Sequence, residues 1–253
     1  MSDLYTNDKN RSYTYPDFMD GYESGSPIVN EVQNLKTLFA EEVIAKSFLF
    51  MFVALLITAL ASITTSINTV IFLFTGNSFF ILMFLEIVIV IVSNVAISNN
   101  KPILAGVLYA IYSYLTGVIL SAIFLVYTTA SITAIFLITA GLFGVMAVYG
   151  LLTKNDLSSV GSICFMGLLG LIISGVVNLF FLKSTMLDTV ICAIGVLVFV
   201  GLTAYDAQKI KARVESATDE TVLTLALFGG FQLYLDFVNL FLKLLRLFGK
   251  KRR

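Results

Sequence analysis

Four carboxylates, Glu86, Asp188, Asp206 and Asp236, stand within or at the edge of long apolar runs in this 253-residue chain. A charged side chain at mid-membrane costs at least ~2.5 kcal/mol on insertion scales, so each such acid needs a partner, a water-filled cavity or a task. The chain contains no histidine. That removes the commonest zinc ligand, the commonest general base and the usual neutral-pH switch, and leaves proton chemistry to the carboxylates. Cys164 and Cys192 each lie inside an apolar run and read as small buried hydrophobes.

Asp236 is the most informative of the acids. Gln232, Asp236, Asn239 and Lys243 are spaced i, i+4, i+7, i+11, which stacks them on one face of a helix whose other faces carry Leu233, Phe237, Leu240 and Phe241. A helix with such a polar stripe belongs at the centre of a bundle, turned away from lipid. Asp206 ends the preceding run in Thr203-Ala-Tyr-Asp206-Ala-Gln208-Lys-Ile, where Lys209 and Lys211 make a solvated helix end the plain alternative. If the bundle brings Asp206 against Asp236, two carboxylates in a low-dielectric place cannot easily both ionise, and the pair titrates as a unit. Ionised, the same pair offers the hard oxygen ligands that Ca²⁺ prefers, completed by carbonyls and water. Glu86, with Ser93 and Asn94 at i+7 and i+8, suits either a gating helix or a structural hydrogen-bond network. Asp188 begins its run beside Lys183 and reads as an interfacial pair or a first-turn acid.

Positioning these acids requires membrane helices. Hydrophobic residues make up 58% of the chain and charged residues only 13%, with mean hydropathy +0.94, whereas a soluble domain carries roughly a quarter charged residues. Apolar runs at roughly 43 to 65, 79 to 98, 103 to 127, 131 to 152, 160 to 182, 187 to 207 and 222 to 242 are each near the ~20 residues that cross a bilayer. The shorter run Val70 to Phe74 fits the interface. Residues 1–42 form an acidic polar tail expected to be flexible, with an amphipathic stretch near Val32 to Phe39; residues 43–249 form the membrane domain, and 250–253 a basic tail. No signal peptide precedes the first run, which should remain as an anchor. The small residues Ala54, Thr58, Ala61, Ser62, Gly141, Gly144, Gly167 and Gly170 are expected at close helix contacts.

Orientation follows the basic residues. With the N-terminus cytoplasmic, the inner segments hold Lys9, Arg11, Lys36, Lys46, Lys101, Lys154, Lys209, Lys211 and Arg213, and the outer loops hold Lys183. The C-terminal Lys243, Arg246, Lys250, Lys251, Arg252 and Arg253 oppose an odd number of crossings, which makes the last run, with Gly229-Gly230 inside it, a candidate re-entrant segment. Basic and acidic residues balance at 16 each, so no overall basic field points to nucleic acid.

Tyr205-Asp206-Ala-Gln208-Lys-Ile and Leu233-Tyr-Leu-Asp236-Phe-Val-Asn239-Leu-Phe-Leu-Lys, with an acid in the second run, resemble the bacterial branch of the Bax inhibitor family over about residues 43–249. The resemblance implies an all-α integral membrane fold of seven helices, the last wrapped by the other six. It also implies a pH-sensitive calcium leak governed by an aspartate pair that maps onto Asp206 and Asp236. Relatives carry a second-helix arginine that latches one aspartate; here no arginine lies between Glu86 and Pro102, and Lys101 is the nearest cation. The Gly-Pro pair common in the third helix is replaced by Leu120-Ser-Ala-Ile123.

The leading expectation is therefore a non-enzymatic, passive, pH-gated Ca²⁺ leak in a bacterial plasma membrane, without a resident cofactor. Asp206 and Asp236 serve as proton sensor and weak calcium contact, and Glu86, Gln232 and Asn239 as gating or pore-lining residues. The alternative is a protein that restrains a membrane-bound ATP-dependent protease, docking through its acidic tail. An intramembrane aspartyl protease is disfavoured, because Leu233-Tyr-Leu-Asp236 stands where those enzymes have Gly-x-Gly-Asp and no Pro-Ala-Leu follows.

Overall fold

A computed structural model describes residues 27–75, 77–216 and 221–252. The helices are α1 (Pro27–Thr64), α2 (Ile67–Phe74), α3 (Ser78–Ser98), α4 (Pro102–Leu120), α5 (Ile123–Val126), α6 (Thr129–Leu152), α7 (Ser158–Val177), α8 (Thr185–Ser216) and α9 (Val222–Phe248), with a π-helical turn, Asn178–Leu182, extending α7. Among the described residues seven stretches are long and apolar enough to cross a membrane: within α1, α3, α4 with α5, α6, α7 with its π turn, α8 and α9. Helix α1 reaches back to Pro27, so helix begins inside the stretch assigned to the tail; residues 1–26 lie outside the described residues.

The boundaries follow local chemistry. Ser66, Thr128 and Thr221 accept hydrogen bonds from the backbone N–H groups of Thr69, Ser131 and Thr224, satisfying amides that a helix start leaves without partners. Pro102 opens α4, where its missing N–H costs nothing. Asn100 and Lys183 adopt left-handed conformations, φ 50° and 49°, and let the chain reverse after α3 and after the π turn. The third span breaks at Leu120-Ser-Ala-Ile123 without a proline: α4 ends at Leu120 and α5 resumes at Ile123.

Helix α9 is the axis of the bundle. Of its membrane-length window 78% is buried, against 11% for the fifth span. It packs along α1 and α8, and more locally against α6, α4 and α3, while α7 packs on α8. The glycine pair does not break it. A Cβ at Gly229 would overlap Ser47 Oγ, and one at Gly230 would lie 2.8 Å from Phe50 Cβ, so both glycines are contact points that let α9 approach α1.

That continuity corrects the re-entrant alternative. Thr224 Oγ1 donates to Asn100 Oδ1 at 2.6 Å, and Gln208 bonds the Leu157 amide and the Asn155 carbonyl, both at 2.8 Å; these groups share one end of the bundle. At the other end Arg246 pairs with Asp188 at 2.9 Å, and residues 250–252 bond the backbone of residues 126–128. Helix α9 thus runs from one end to the other, and the C-terminal residues lie opposite Thr224 and Asn100. Asp188 is partnered by Arg246, not by Lys183.

Several expected packing glycines are not contacts. Cβ atoms at Gly141, Gly144 and Gly170 would meet nothing within 4 Å, whereas those at Gly117, Gly150 and Gly161 would collide with Thr58 and Ala61, with the Ala204 backbone and with the Tyr205 ring. The expectation holds for Ala54, Thr58, Ala61 and Ser62, all buried, and for Gly167, which faces Val198 at 3.0 Å.

Candidate functional site

The fifth span leans on α8 and stands back from α9, which leaves a cleft of about 940 Å³ open to the exterior. Met83 and Ile87 of α3, Tyr112 of α4, Phe165 and Ile172 of α7, and Tyr205 and Asp206 of α8 line it. The facing wall is the polar stripe of α9: Gln232, Leu235, Asp236 and Asn239. The rings of Phe80 and Phe180 stack with centroids 6.3 Å apart and join the second and fifth spans where the π turn begins.

The two aspartates meet in this cleft. Asp206 is 2% and Asp236 4% exposed, and their carboxyl groups lie within hydrogen-bonding reach of each other. Gln232 Nε2 donates to Asp206 Oδ2 at 2.9 Å. No donor reaches Asp236 Oδ2 among the described residues. A buried carboxylate oxygen without a donor, next to a second carboxyl group, is costly to leave bare; a proton shared between the acids or a cation placed on them would satisfy it.

Asn239 lines the same cleft, with its Nδ2 donating to the Leu235 carbonyl of its own helix at 2.8 Å. Glu86 is not part of the cleft wall. It is half-buried and accepts a hydrogen bond from Thr116 Oγ1 at 2.9 Å, linking the second and third spans. The Ser93 and Asn94 face does not continue from it: Ser93 is buried with no partner for its hydroxyl among the described residues, and Asn94 is exposed and bonds the Val90 carbonyl. Successive residues on a helix sit about 100° apart, so i+7 and i+8 diverge where only one faces the bundle.

Lys209 was not singled out by the sequence as a site residue, yet it lines the cleft and is close enough for its charge to act on both aspartates. Its Nζ sits 5.7 Å from the Tyr205 ring centroid and 5.8 Å from that of Phe228. The i+3 spacing from Asp206 is the signal that finds it. Lys101, at the start of the third span, is exposed and lines none of the cleft. A further buried link, Thr58 Oγ1 to Tyr234 Oη at 2.7 Å, ties α1 to α9 behind the acid pair.

The arrangement can exchange protons and offer two carboxylates and amide oxygens to a cation. Among the described residues no group of three or more His, Cys, Asp or Glu side chains is placed to hold a metal. A Ca²⁺ site that retains its ion needs six to eight oxygens, more than two carboxylates alone supply.

Fold and site together define a multi-pass, all-α membrane protein with a buried acid pair on its central helix. Residues 40–253 match the family described as Inhibitor of apoptosis-promoting Bax1. The chain belongs to this Bax inhibitor family. It is similar to Inner membrane protein YbhL of Escherichia coli strain K12, 40% identical over 240 residues, covering 92% of this chain and all of the relative. Uncharacterized proteins of Borreliella burgdorferi, 41% identical over 220 residues, and of Rickettsia prowazekii, 42% identical over 210, cover 85% and 82% of this chain and 94% and 89% of their own lengths.

Proposed function

We propose that the chain is a pH-sensitive passive calcium leak of a bacterial plasma membrane, with its N-terminus cytoplasmic and no catalytic activity. One observation carries the reading: Asp236 is buried on the central helix with Asp206 beside it and one oxygen without a donor, at the wall of an open cleft. With a proton shared, the pair is held together and offers little charge to a cation. With the proton lost, the acids repel each other and present hard oxygen ligands, so protonation couples cation affinity to the packing of α8 on α9. Lys209 takes the position of a local counter-charge in place of the family's latch arginine. Glu86 acts on the cleft from outside its wall, through its bond to Thr116 and the third span, as a gating residue at one remove.

The test is calcium flux into liposomes loaded with a calcium dye, measured with purified protein at an acidic and a neutral pH. The proposal expects flux above protein-free liposomes and a change in its rate between the two pH values. Flux absent at both rejects it. A chain lacking residues 1–26 should keep its flux; docking on a membrane protease through the acidic tail is the competing reading, and it gains if only the tail proves necessary for function.

A further inference from the structure

The two ends of the bundle differ in charge. At the end holding the C-terminus the described basic residues are Lys183, Lys243, Arg246, Lys250, Lys251 and Arg252, and Asp188, already paired with Arg246, is the one described carboxylate. The last residues are fastened there. Thr128 N donates to the Lys250 carbonyl at 3.0 Å, Arg252 N to the Val126 carbonyl at 2.9 Å, and Lys250 N to Ser131 Oγ at 2.9 Å, so Lys251 lies antiparallel to Tyr127. Gly249 makes the approach possible: a Cβ there would lie 2.7 Å from the Tyr127 ring.

Exposed cations held by backbone bonds have already paid most of the ordering entropy that a loose basic tail pays when it binds. Their neighbours are apolar. Leu125 and Val126, each 45% exposed, and Phe248, 69% exposed, border the strap at the end of the last span. Cations beside exposed apolar side chains at a helix end fit an amphiphile with an anionic head and an acyl tail better than a soluble anion or an acidic peptide.

We propose that Lys250, Lys251 and Arg252, fixed against residues 126–128, form a docking surface for the headgroup of an anionic phospholipid. The inference stands apart from the calcium reading, since it concerns the opposite end of α9 from Asp206 and needs no flux. It also gives the basic C-terminal residues a partner on their own side of the membrane, where they run against the usual distribution of Lys and Arg.

The full chain in detergent micelles is melted with added phosphatidylglycerol, with phosphatidylcholine, and with inorganic phosphate alone. Phosphatidylglycerol should raise the melting temperature and phosphatidylcholine should not. The combined K250Q, K251Q and R252Q variant should melt like the parent without lipid and lose the phosphatidylglycerol shift, with an apparent affinity that falls roughly fivefold for each cation removed. G249A keeps every charge but displaces the strap, and should lose part of the shift. K154Q, at the far end, should retain all of it. The proposal is overturned if the triple variant keeps the shift, or if inorganic phosphate reproduces it in full. Should the triple variant prove unstable, K251Q alone decides: unchanged phosphatidylglycerol affinity in a folded single variant counts against the surface.

Discussion

The seventh and fifth spans are nearly the same length, yet one is the most buried span in the molecule and the other the least. The buried one is also the less apolar. In a soluble protein the most hydrophobic segment goes inside; with hydrocarbon as solvent, helix burial is driven by close packing and polar contacts, and the span carrying Gln232, Asp236, Asn239 and Lys243 takes the centre. The fifth span, apolar on every side, stays at the periphery and leaves the cleft between itself and α9.

The sharpest way to break this contrast is to place equal bulk on both helices. Gly230→Leu would push into Phe50 and the Ser47 carbonyl and should cost about 3 kcal/mol or more. A Cβ at the exposed Gly170 in the fifth span meets nothing within 4 Å, and Gly170→Leu should stay within about 0.5 kcal/mol of the parent. Unfolding in micelles by denaturant or heat measures both, and equal losses would remove the distinction.

A smaller effect is expected from the polar contacts that hold the centre. Tyr234→Phe removes the 2.7 Å bond to Thr58 while keeping the ring against Tyr109, and should destabilise by about 1 kcal/mol, the scale of interhelical hydrogen bonds in membranes. Thr58→Val combined with it should add less than its own single effect, because the Tyr234 bond is shared, and what it does add is the loss of the Thr58 hydroxyl at the Ser113 carbonyl, 2.9 Å away. Full additivity in the same unfolding experiment would mean that Tyr234 and Thr58 act separately.

The smallest effects belong to the periphery. Asn94→Leu replaces an exposed amide that bonds the Val90 carbonyl of its own helix, and should leave stability unchanged or slightly raised. At the start of the fifth span Asp156 accepts a bond from the Ser158 amide at 2.9 Å, and the Ser158 hydroxyl together with that amide holds its carboxyl below the usual carboxylate range. A group with a depressed folded pKa stabilises above its unfolded value and loses the contribution as pH falls through the folded one. The melting difference between the parent and Asp156→Ala should therefore be present near neutral pH and vanish at strongly acidic pH; a difference that grows on acidification would contradict a stabilising role for these bonds.

Much of this contrast is legible in the sequence. The runs that cross and the polar stripe of α9 follow from spacing and from the cost of a lone acid in lipid, whereas the pairing of Asp206 with Asp236 is what the resemblance to the Bax inhibitor family implies. What the sequence does not reveal is which way the uniformly apolar helices face. Gly141, Gly144 and Gly170 carry the same small-residue signal as Gly117, Gly150 and Gly161, but in lipid an outward glycine costs nothing that the pattern registers. For the same reason Ser93 and Asn94 could not be told apart, although one is buried and the other exposed. The Asp188–Arg246 pair joins residues 58 positions apart and was hidden behind the nearer Lys183. Gly229-Gly230 reads as a break in isolation, and only the position of Ser47 and Phe50 makes it a contact.

The central claim is that protonation of the Asp206–Asp236 pair governs cation passage. Calcium flux in liposomes, measured across a pH series for the parent, Asp206→Asn, Asp236→Asn and the double variant, tests it most directly. Each single replacement keeps the side-chain volume and removes the shared titration, so each should lose most of the pH dependence of flux, and the double variant should differ little from either single one because the two sites act as a unit. Single variants that fold and keep the parent's pH profile would contradict the account.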